Sequence, residues 1–250
     1  MTSPSNSASA WPTSRSAARH LAGALRTHEC PTDSAFDRFL PEDLRAVSGP
    51  YWTPLSVAKR AAEWLDDVNV RHVVDIGSGA GKFCVAAALV SRAQFTGLEK
   101  RLSLVASGRA LADVFGVHRR VRFVHGAFGV TPPPVADAYY FYNPFGNYWF
   151  DSIRDTEGDA EFGTARRVRE IACGEEFIRT APVGTWLLTY NGFGGQMPEC
   201  CDLIRVDWTL SAALRLWRKQ RASEPPDLAH QSRAFRRASR VRKSRRRDVT

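Results

Sequence analysis

The segment from Val73 to Phe83 limits what this chain can fold into more than any other. It reads Val-Val-Asp-Ile-Gly-Ser-Gly-Ala-Gly-Lys-Phe, with glycine at every second position from Gly77 to Gly81. The run before the glycines is short and rich in β-branched residues, which is typical of a buried parallel strand. An apolar helical run follows from Phe83 to Val90. A strand, a glycine turn and a helix bring backbone N–H groups and a helix N-terminus close to a nucleotide-like ligand. The segment therefore predicts a βαβ unit with a ligand site at its turn.

The rest of the chain alternates predicted strands with predicted helices. Strands are expected at 71–76, 94–99, 121–125, 136–143 and 185–190, and helices at 54–65, 83–90, 102–115 and 164–180. Two further strands, 202–208 and 212–217, are expected to close the sheet as an antiparallel pair. This rhythm predicts an α/β fold: a doubly wound, Rossmann-like sheet of seven strands, mostly parallel, with an antiparallel C-terminal strand pair.

The basic charge of the chain is concentrated in its C-terminal tail. The formal net charge is +9, but residues 215–250 alone carry +10 and the remainder carries −1. The first 28 residues are rich in Ser, Ala and Arg and contain no acid. We predict a disordered N-terminal tail over 1–34, one folded domain over 35–220 and a disordered Arg-rich tail over 221–250. The basic tail leaves two interpretations open: a phosphate-binding arm for nucleic acid, or a solvated terminus with no dedicated partner.

Cysteine usage and hydropathy point to a protein of a reducing compartment. The five cysteines form no CxxC pair and show no metal-ligand spacing with the six histidines, so no metal site is predicted. No apolar run approaches the ~20 residues that span a bilayer, and no secretory signal is visible. We expect a cytoplasmic protein, and 30 Arg against 5 Lys favours a bacterial source with a GC-rich genome.

The candidate ligand-binding residues stand at the predicted strand ends, because the carboxyl ends of parallel strands meet at one edge of a sheet. The first strand ends in Asp75 and the glycine loop, and we expect Gly77, Ser78, Gly79 and Gly81 to cradle the ligand. Glu99 ends the second strand, where a carboxylate can accept both hydrogen bonds of a ribose diol. The third strand ends at Ala127 and Phe128, which can serve a base only through backbone N–H groups or the packing of Phe128.

The fourth strand ends in Asn143-Pro144-Phe145-Gly146, which has two interpretations. Asn-Pro followed by glycine is ordinary turn chemistry. The functional alternative is that the Asn143 side chain and the Pro144 carbonyl accept hydrogen bonds from an amino group, while Phe145 stacks on it or excludes water. Thr53, just before the 54–65 helix, is predicted to be its N-cap, with Pro54 as the first helical residue.

These motifs resemble those of class I S-adenosylmethionine (SAM) methyltransferases over residues 50–220. Asp75 and the three loop glycines match the first motif of that superfamily, and Glu99 matches its acidic ribose ligand. Asn143-Pro144-Phe145 stands where amino-methyltransferases carry an Asn/Asp-Pro-Pro-aromatic motif. The Tyr51–Pro54 element is similar to one in adenine-N6 DNA methyltransferases, which implies that Thr53 contacts the methionine carboxylate of SAM.

Two finer resemblances accompany the superfamily match. Asp75–Gly81, Gly97-Leu98-Glu99-Lys100 and the Asn-x-Phe of Asn143–Phe145 together resemble the histone-lysine methyltransferases that lack a SET domain. The Trp-Thr-Pro, Gly-Lys-Phe-Cys and Phe-Tyr-Asn elements resemble a widespread group of mostly bacterial methyltransferase-like proteins. Ala127 departs from the superfamily pattern, which usually has Asp or Asn there for the adenine.

The resemblance implies an enzyme that uses SAM to methylate an amino nitrogen on a nucleic acid or a protein. The acidic stretch Asp151–Glu161 suits a cationic acceptor and keeps protein substrates open. One alternative is a non-catalytic nucleic-acid-binding protein with the same fold. A second is an NAD-dependent oxidoreductase, which Lys82 disfavours because it stands where the dinucleotide fingerprint needs its third glycine.

Overall fold

A single twisted sheet runs through the computed structural model, which describes residues 15–27, 29–142, 144 and 160–222, with side chains from residue 167 in the last range. The strands are β1 (His72–Ile76), β2 (Gln94–Glu99), β3 (Val121–His125), β4 (Ala138–Tyr142), β5 (Trp186–Tyr190), β6 (Cys201–Asp207) and β7 (Leu214–Lys219). Their order is β3-β2-β1-β4-β5-β7-β6. The first five strands are parallel, whereas β7 lies antiparallel between β5 and β6. The predicted fold class is confirmed.

The helices of the described residues connect and cover these strands. They are α1 (Arg15–Arg26), α2 (Asp33–Asp37), α3 (Glu42–Ala46), α4 (Ser48–Tyr51), α5 (Leu55–Asp67), α6 (Lys82–Val90), α7 (Leu102–Val114) and α8 (Ala160–Thr180). From β1 the chain passes through α6 to β2 on one side and, later, to β4 on the other. This change of direction opens a crevice at the carboxyl ends of β1 and β4, where ligands bind in sheets of this kind.

Period-two alternation along the buried strands divides the core into two layers. In β1, Val73 belongs to the larger layer, formed with α1, α5, α6 and α7, whereas Val74 and Ile76 face the smaller layer beneath α8. Side chains of successive strand residues point to opposite faces, so a continuous apolar run is needed where both faces are covered. The composition of β1 and β4 follows from this requirement.

The prediction that residues 1–34 form a disordered tail is wrong for Arg15–Arg26, which forms α1. Ala18, Leu21, Ala22 and Leu25 are buried against the larger core layer, at the i, i+3, i+4, i+7 spacing of an amphipathic helix. Arg26 Nε donates to the Leu89 carbonyl oxygen at 2.9 Å and so joins α1 to the end of α6. The folded domain thus begins before residue 35. Residues 1–14 and most of the basic tail, 223–250, lie outside the described residues.

The predicted N-cap at Thr53 is also wrong. Helix α5 begins at Leu55 with Pro54 at the cap position, and no side chain of that position bonds to the helix. The Leu55 N–H instead donates to Asp33 Oδ1 of α2 at 2.9 Å, so a carboxylate from another element satisfies this end of the helix. The Thr53 hydroxyl is thereby left for a contact in the sheet crevice.

Candidate functional site

The glycine loop between β1 and α6 has a backbone that only glycine adopts easily. Gly77, Gly79 and Gly81 have φ angles of 77°, 55° and 80°, in the left-handed region that disfavours a β-carbon. The Gly77 and Ser78 N–H groups both donate to the Leu98 carbonyl oxygen, at 2.9 and 3.0 Å. The loop is therefore tied to the end of β2, and its three glycines follow from its conformation.

Close packing holds this loop from two sides. A β-carbon on Gly79 would overlap the indole ring of Trp52, and one on Gly81 would overlap the ring of Phe123 and lie 3.2 Å from Gly108 Cα of α7. Trp52 is itself buried, and its indole N–H donates to the Leu44 carbonyl oxygen at 3.1 Å. The loop is consequently fixed before a ligand arrives, which is the arrangement that preorganised binding sites use.

Two buried carboxylates flank the loop, as the strand-end argument predicts. Asp75 is 4% exposed and Glu99 is 2% exposed. Glu99 Oε2 accepts the Gly79 N–H at 3.0 Å, while Oε1 accepts the backbone N–H and Nε–H of Arg101 at 3.0 and 2.9 Å. A carboxylate has about four acceptor positions, so these contacts leave about one for a ligand hydroxyl. The predicted role of Glu99 as a ribose ligand stays a prediction.

Asp75 lies in an apolar environment that favours its protonated form. Burial raises its pKa to about 7; a hydrogen bond from the Cys84 thiol, with Sγ 3.5 Å from Oδ2, opposes that rise, and the Glu99 charge adds to it. Burial likewise raises the pKa of the Cys84 thiol well above its usual range. Perturbed carboxyl groups of this kind concentrate at functional sites, although buried structural groups also show them.

A pair of hydroxyl groups completes this side of the crevice. Thr53 Oγ1 lies 3.0 Å from Tyr140 Oη, and the Tyr140 ring stacks on Phe83 with centroids 3.7 Å apart. Burial raises the pKa of Tyr140 well above its usual range. Thr53, Tyr140, Asp75 and Ser78 line a small cavity of about 20 Å³. Tyr140 is not among the candidate residues of the sequence analysis; its place beside Asp75 comes from the β1–β4 register, which pairs the two.

Ser78 carries an unsatisfied hydroxyl at the loop. The residue is 7% exposed, and its Oγ has no hydrogen-bond partner among the residues that the structure describes. It packs over Gly97 of β2, where a β-carbon would lie 2.5 Å from Oγ. A buried hydroxyl without a partner costs free energy, so its presence beside the loop fits a ligand that supplies the missing hydrogen bond.

The turn after β3 reaches the site through its backbone. The Gly126 N–H donates to the Glu99 carbonyl oxygen at 3.0 Å, which brings half-buried Ala127 next to the end of β2. The ring of Phe128 faces the core layer beneath α8, where it packs edge-on against Phe177 and Phe141 with centroids 5.6 and 6.4 Å apart. The Phe128 ring therefore packs away from the crevice. The backbone of the turn is the remaining candidate contact for a base.

Of the three predicted acceptor residues, the structure describes one. Pro144 follows β4, and its Cα and carbonyl oxygen lie 3.4 and 3.5 Å from the position that a β-carbon on Gly77 would take. The end of β4 is thus adjacent to the glycine loop. Asn143 and Phe145 lie outside the described residues, as do residues 151–159 and the side chain of Glu161, and their roles stay predictions.

In residues 15–27, 29–142, 144 and 160–222, no group of three His, Cys, Asp or Glu side chains is arranged to hold a metal ion. Over the same part of the chain, no helix is both long enough and apolar enough to cross a bilayer.

The chain resembles several solved methyltransferase structures. An RNA methyltransferase from Salinibacter ruber, in complex with S-adenosyl-L-homocysteine, is 21% identical over 70% of this chain and 97% of its own, with a TM-score of 0.49. The mitomycin 7-O-methyltransferase MmcR is 18% identical over 83% of this chain and 61% of its own, with a TM-score of 0.48. The putative methyltransferase yhhF from Escherichia coli is 16% identical over 69% of this chain and 90% of its own, with a TM-score of 0.46.

No protein-family model matches the chain, and no curated protein matches it. At these identities and TM-scores, the likenesses to solved structures do not by themselves assign an activity. The activity is therefore inferred from the residues of the crevice.

Proposed function

We propose that this protein is a SAM-dependent methyltransferase. The observation that carries the proposal is the loop of three left-handed glycines tied through its Gly79 N–H to the buried carboxylate of Glu99. The strand order supports it, because an antiparallel β7 stands between β5 and β6 where the dinucleotide fold continues with a parallel strand. When bound, SAM supplies a methyl group already activated by its positively charged sulfur.

The residues of the crevice suit the different parts of this cofactor. The backbone of Gly77–Gly81 and the unsatisfied Ser78 hydroxyl would hold the nucleoside, with Glu99 accepting from the ribose and the turn at Ala127 contacting the base. Asp75 and Thr53 would face the charged amino-acid end. An ionised Asp75 attracts the ammonium group, and the Thr53 hydroxyl donates to the carboxylate.

The acceptor is proposed to be an amino nitrogen. The Asn143 side-chain oxygen and the Pro144 carbonyl would accept its hydrogens and so aim its lone pair at the cofactor, while Phe145 excludes water. The short distance between Pro144 and Gly77 supports this assignment, since it brings the acceptor segment beside the cofactor loop. Positioning is the main contribution needed, because the leaving group is already activated.

We infer that the amine belongs to a macromolecule. The basic residues of 221–250 suit an anionic polymer such as RNA or DNA, whereas the acids between Asp151 and Glu161 suit a cationic protein segment. An assay that measures methyl transfer to each substrate pool separately distinguishes these two acceptors.

Transfer of tritium from methyl-labelled SAM to separated RNA, DNA, protein and small-molecule pools tests the proposal. We expect label in one macromolecular pool, at least ~100-fold less with Asn143→Ala, and unchanged transfer with Gln94→Ala, an exposed amide at the opposite end of β2. Label confined to small molecules would refute the macromolecular acceptor and keep the methyltransferase. SAM binding without transfer to any pool would favour the non-catalytic binder.

A further inference from the structure

Lys82 is the most deeply buried charge next to the candidate site that the proposed chemistry does not use. It is the first residue of α6, directly after Gly81, and it is 2% exposed. Its Nζ lies 2.7 Å from Asp33 Oδ1, 2.8 Å from Asp37 Oδ1 and 3.2 Å from Ser48 Oγ. The two carboxylates of α2 form ion pairs with this ammonium group, and the Ser48 hydroxyl of α4 accepts a hydrogen bond from it.

This position is an unfavourable one for a cation. The N-terminus of a helix carries a partial positive charge, and a lysine there is repelled by the helix dipole as well as desolvated. The two carboxylates of α2 offset both effects. A buried ion pair is a weak source of stability and is better attested as a device that fixes one arrangement of the chain.

Lys82, Asp33, Asp37 and Ser48 form a cluster, the Lys82 cluster, that holds the segment ending in Thr53. Ser48 begins α4, and its carbonyl oxygen accepts the Trp52 N–H at 2.9 Å. On the other side of Thr53, Asp33 Oδ1 accepts the Leu55 N–H at 2.9 Å. The ammonium of Lys82 therefore contacts the anchors that precede and follow Trp52 and Thr53.

We propose that Lys82 is a positioning residue that locks Trp52 and Thr53 against the glycine loop and so builds the amino-acid end of the cofactor site. The inference rests on the proposed function, because it assigns Thr53 to that end of the cofactor. Lys82 also lines the small cavity of Thr53 and Asp75, but its ammonium group is paired with Asp33, Asp37 and Ser48, so the role assigned to it is positioning and not contact with the cofactor. Its placement directly after Gly81 couples the loop and the N-terminal segment through one side chain.

The test compares Lys82→Met with Lys219→Met, a matched loss of a second buried lysine. Lys219 is also 2% exposed, and its Nζ donates to the carbonyl oxygens of Ile178 and Arg179 at the end of α8. It ends β7 beside the start of β5, away from the carboxyl ends of the parallel strands where the candidate site lies. We expect Lys82→Met to raise the Kd for S-adenosylhomocysteine by about tenfold, the scale of one lost hydrogen bond. Lys219→Met lowers stability and leaves that Kd within twofold.

Two further readouts separate positioning from general destabilisation. Hydrogen exchange of the Trp52 amide speeds up in Lys82→Met and not in Lys219→Met. In a double-mutant cycle, Thr53→Val alone weakens binding, and Lys82→Met adds little to it, because both remove the same contact. If Lys82→Met does not fold, Ser48→Ala removes only one acceptor of the cluster and is expected to raise the Kd by severalfold.

The outcomes distinguish this inference from the proposed function. A wild-type protein that binds neither SAM nor S-adenosylhomocysteine overturns both. Normal binding by folded Lys82→Met, or equal losses of affinity in Lys82→Met and Lys219→Met, overturns the positioning role alone. Strict additivity with Thr53→Val contradicts the route through Thr53.

Discussion

At the scale of single residues, Asp75 shows how a residue of the candidate site can lower the stability of the fold. Its carboxyl group is buried at the end of a central strand, and the hydrogen bond it accepts from Cys84 is a weak one. Desolvation of this kind destabilises the ionised form and raises the pKa to about 7. Groups kept in such places for function commonly reduce the stability of the protein that carries them.

The first prediction is that Asp75→Asn becomes more stabilising, relative to the wild type, as the pH rises. The unfolded chain loses this proton near pH 4 and the folded chain near pH 7, so the contribution of Asp75 to stability falls between these values and is constant above them. The advantage of Asp75→Asn should grow by roughly 2 to 4 kcal/mol between pH 4 and pH 8, measured by urea unfolding. Affinity for SAM should fall in the same variant.

Glu29→Gln, at an exposed carboxylate, is the control for this measurement. Its stability relative to the wild type should change little over the same pH range. An Asp75→Asn advantage that is equal at pH 4 and pH 8 would show that Asp75 does not titrate as the burial implies.

The second prediction concerns Gly79. Alanine there would adopt a φ of 55° and overlap the Trp52 ring, so Gly79→Ala should lower the free energy of unfolding by roughly 2 to 4 kcal/mol. Gly23→Ala is the matched change in α1, where nothing lies within 4 Å of the added carbon. It should stabilise by about 0.5 to 1 kcal/mol. Equal effects of the two substitutions on the urea midpoint would refute the tight packing of the loop.

The residue types of the site were predictable, and their contacts were not. Asp75, Glu99 and the three glycines follow from strand-end logic and turn chemistry, which are local. The Thr53–Tyr140 contact joins residues 87 positions apart, and the Lys82 cluster depends on how α2 docks on α6. Such contacts are fixed by strand register and tertiary packing, which periodicity does not encode.

At the scale of elements, α1 shows how composition can hide a helix. The Ser, Ala and Arg of the N-terminal segment suggested disorder, yet Ala18, Leu21, Ala22 and Leu25 form one apolar face. The strands were more predictable, since β2 and β3 have the expected bounds and the others differ by a few residues. Runs rich in β-branched and aromatic residues between turn signals identify strands directly.

The third prediction tests whether α1 belongs to the domain. Leu25 is completely buried, so Leu25→Ala should lower the free energy of unfolding by about 2 to 4 kcal/mol. Arg19→Ala, on the exposed face of the same helix, should change it by less than about 0.5 kcal/mol. A Leu25→Ala variant as stable as Arg19→Ala would mean that α1 does not pack on α6 in solution.

At the scale of the whole molecule, the site is made where separate parts of the chain meet. The sheet brings Asp75, Glu99 and Pro144 to one edge, and the N-terminal helices bring Trp52 and Thr53 over the loop. The sheet was predictable because right-handed crossovers allow few arrangements. The order β5-β7-β6 was not, since an antiparallel pair at the end of the chain can join the sheet in more than one way.

The central claim is that the glycine loop holds SAM, and calorimetric titration of the full chain with SAM and, separately, with NAD tests it most directly. We predict saturable binding of one SAM per chain, weakened by Thr53→Val, and no binding of NAD. Saturable binding of NAD without binding of SAM would contradict the account.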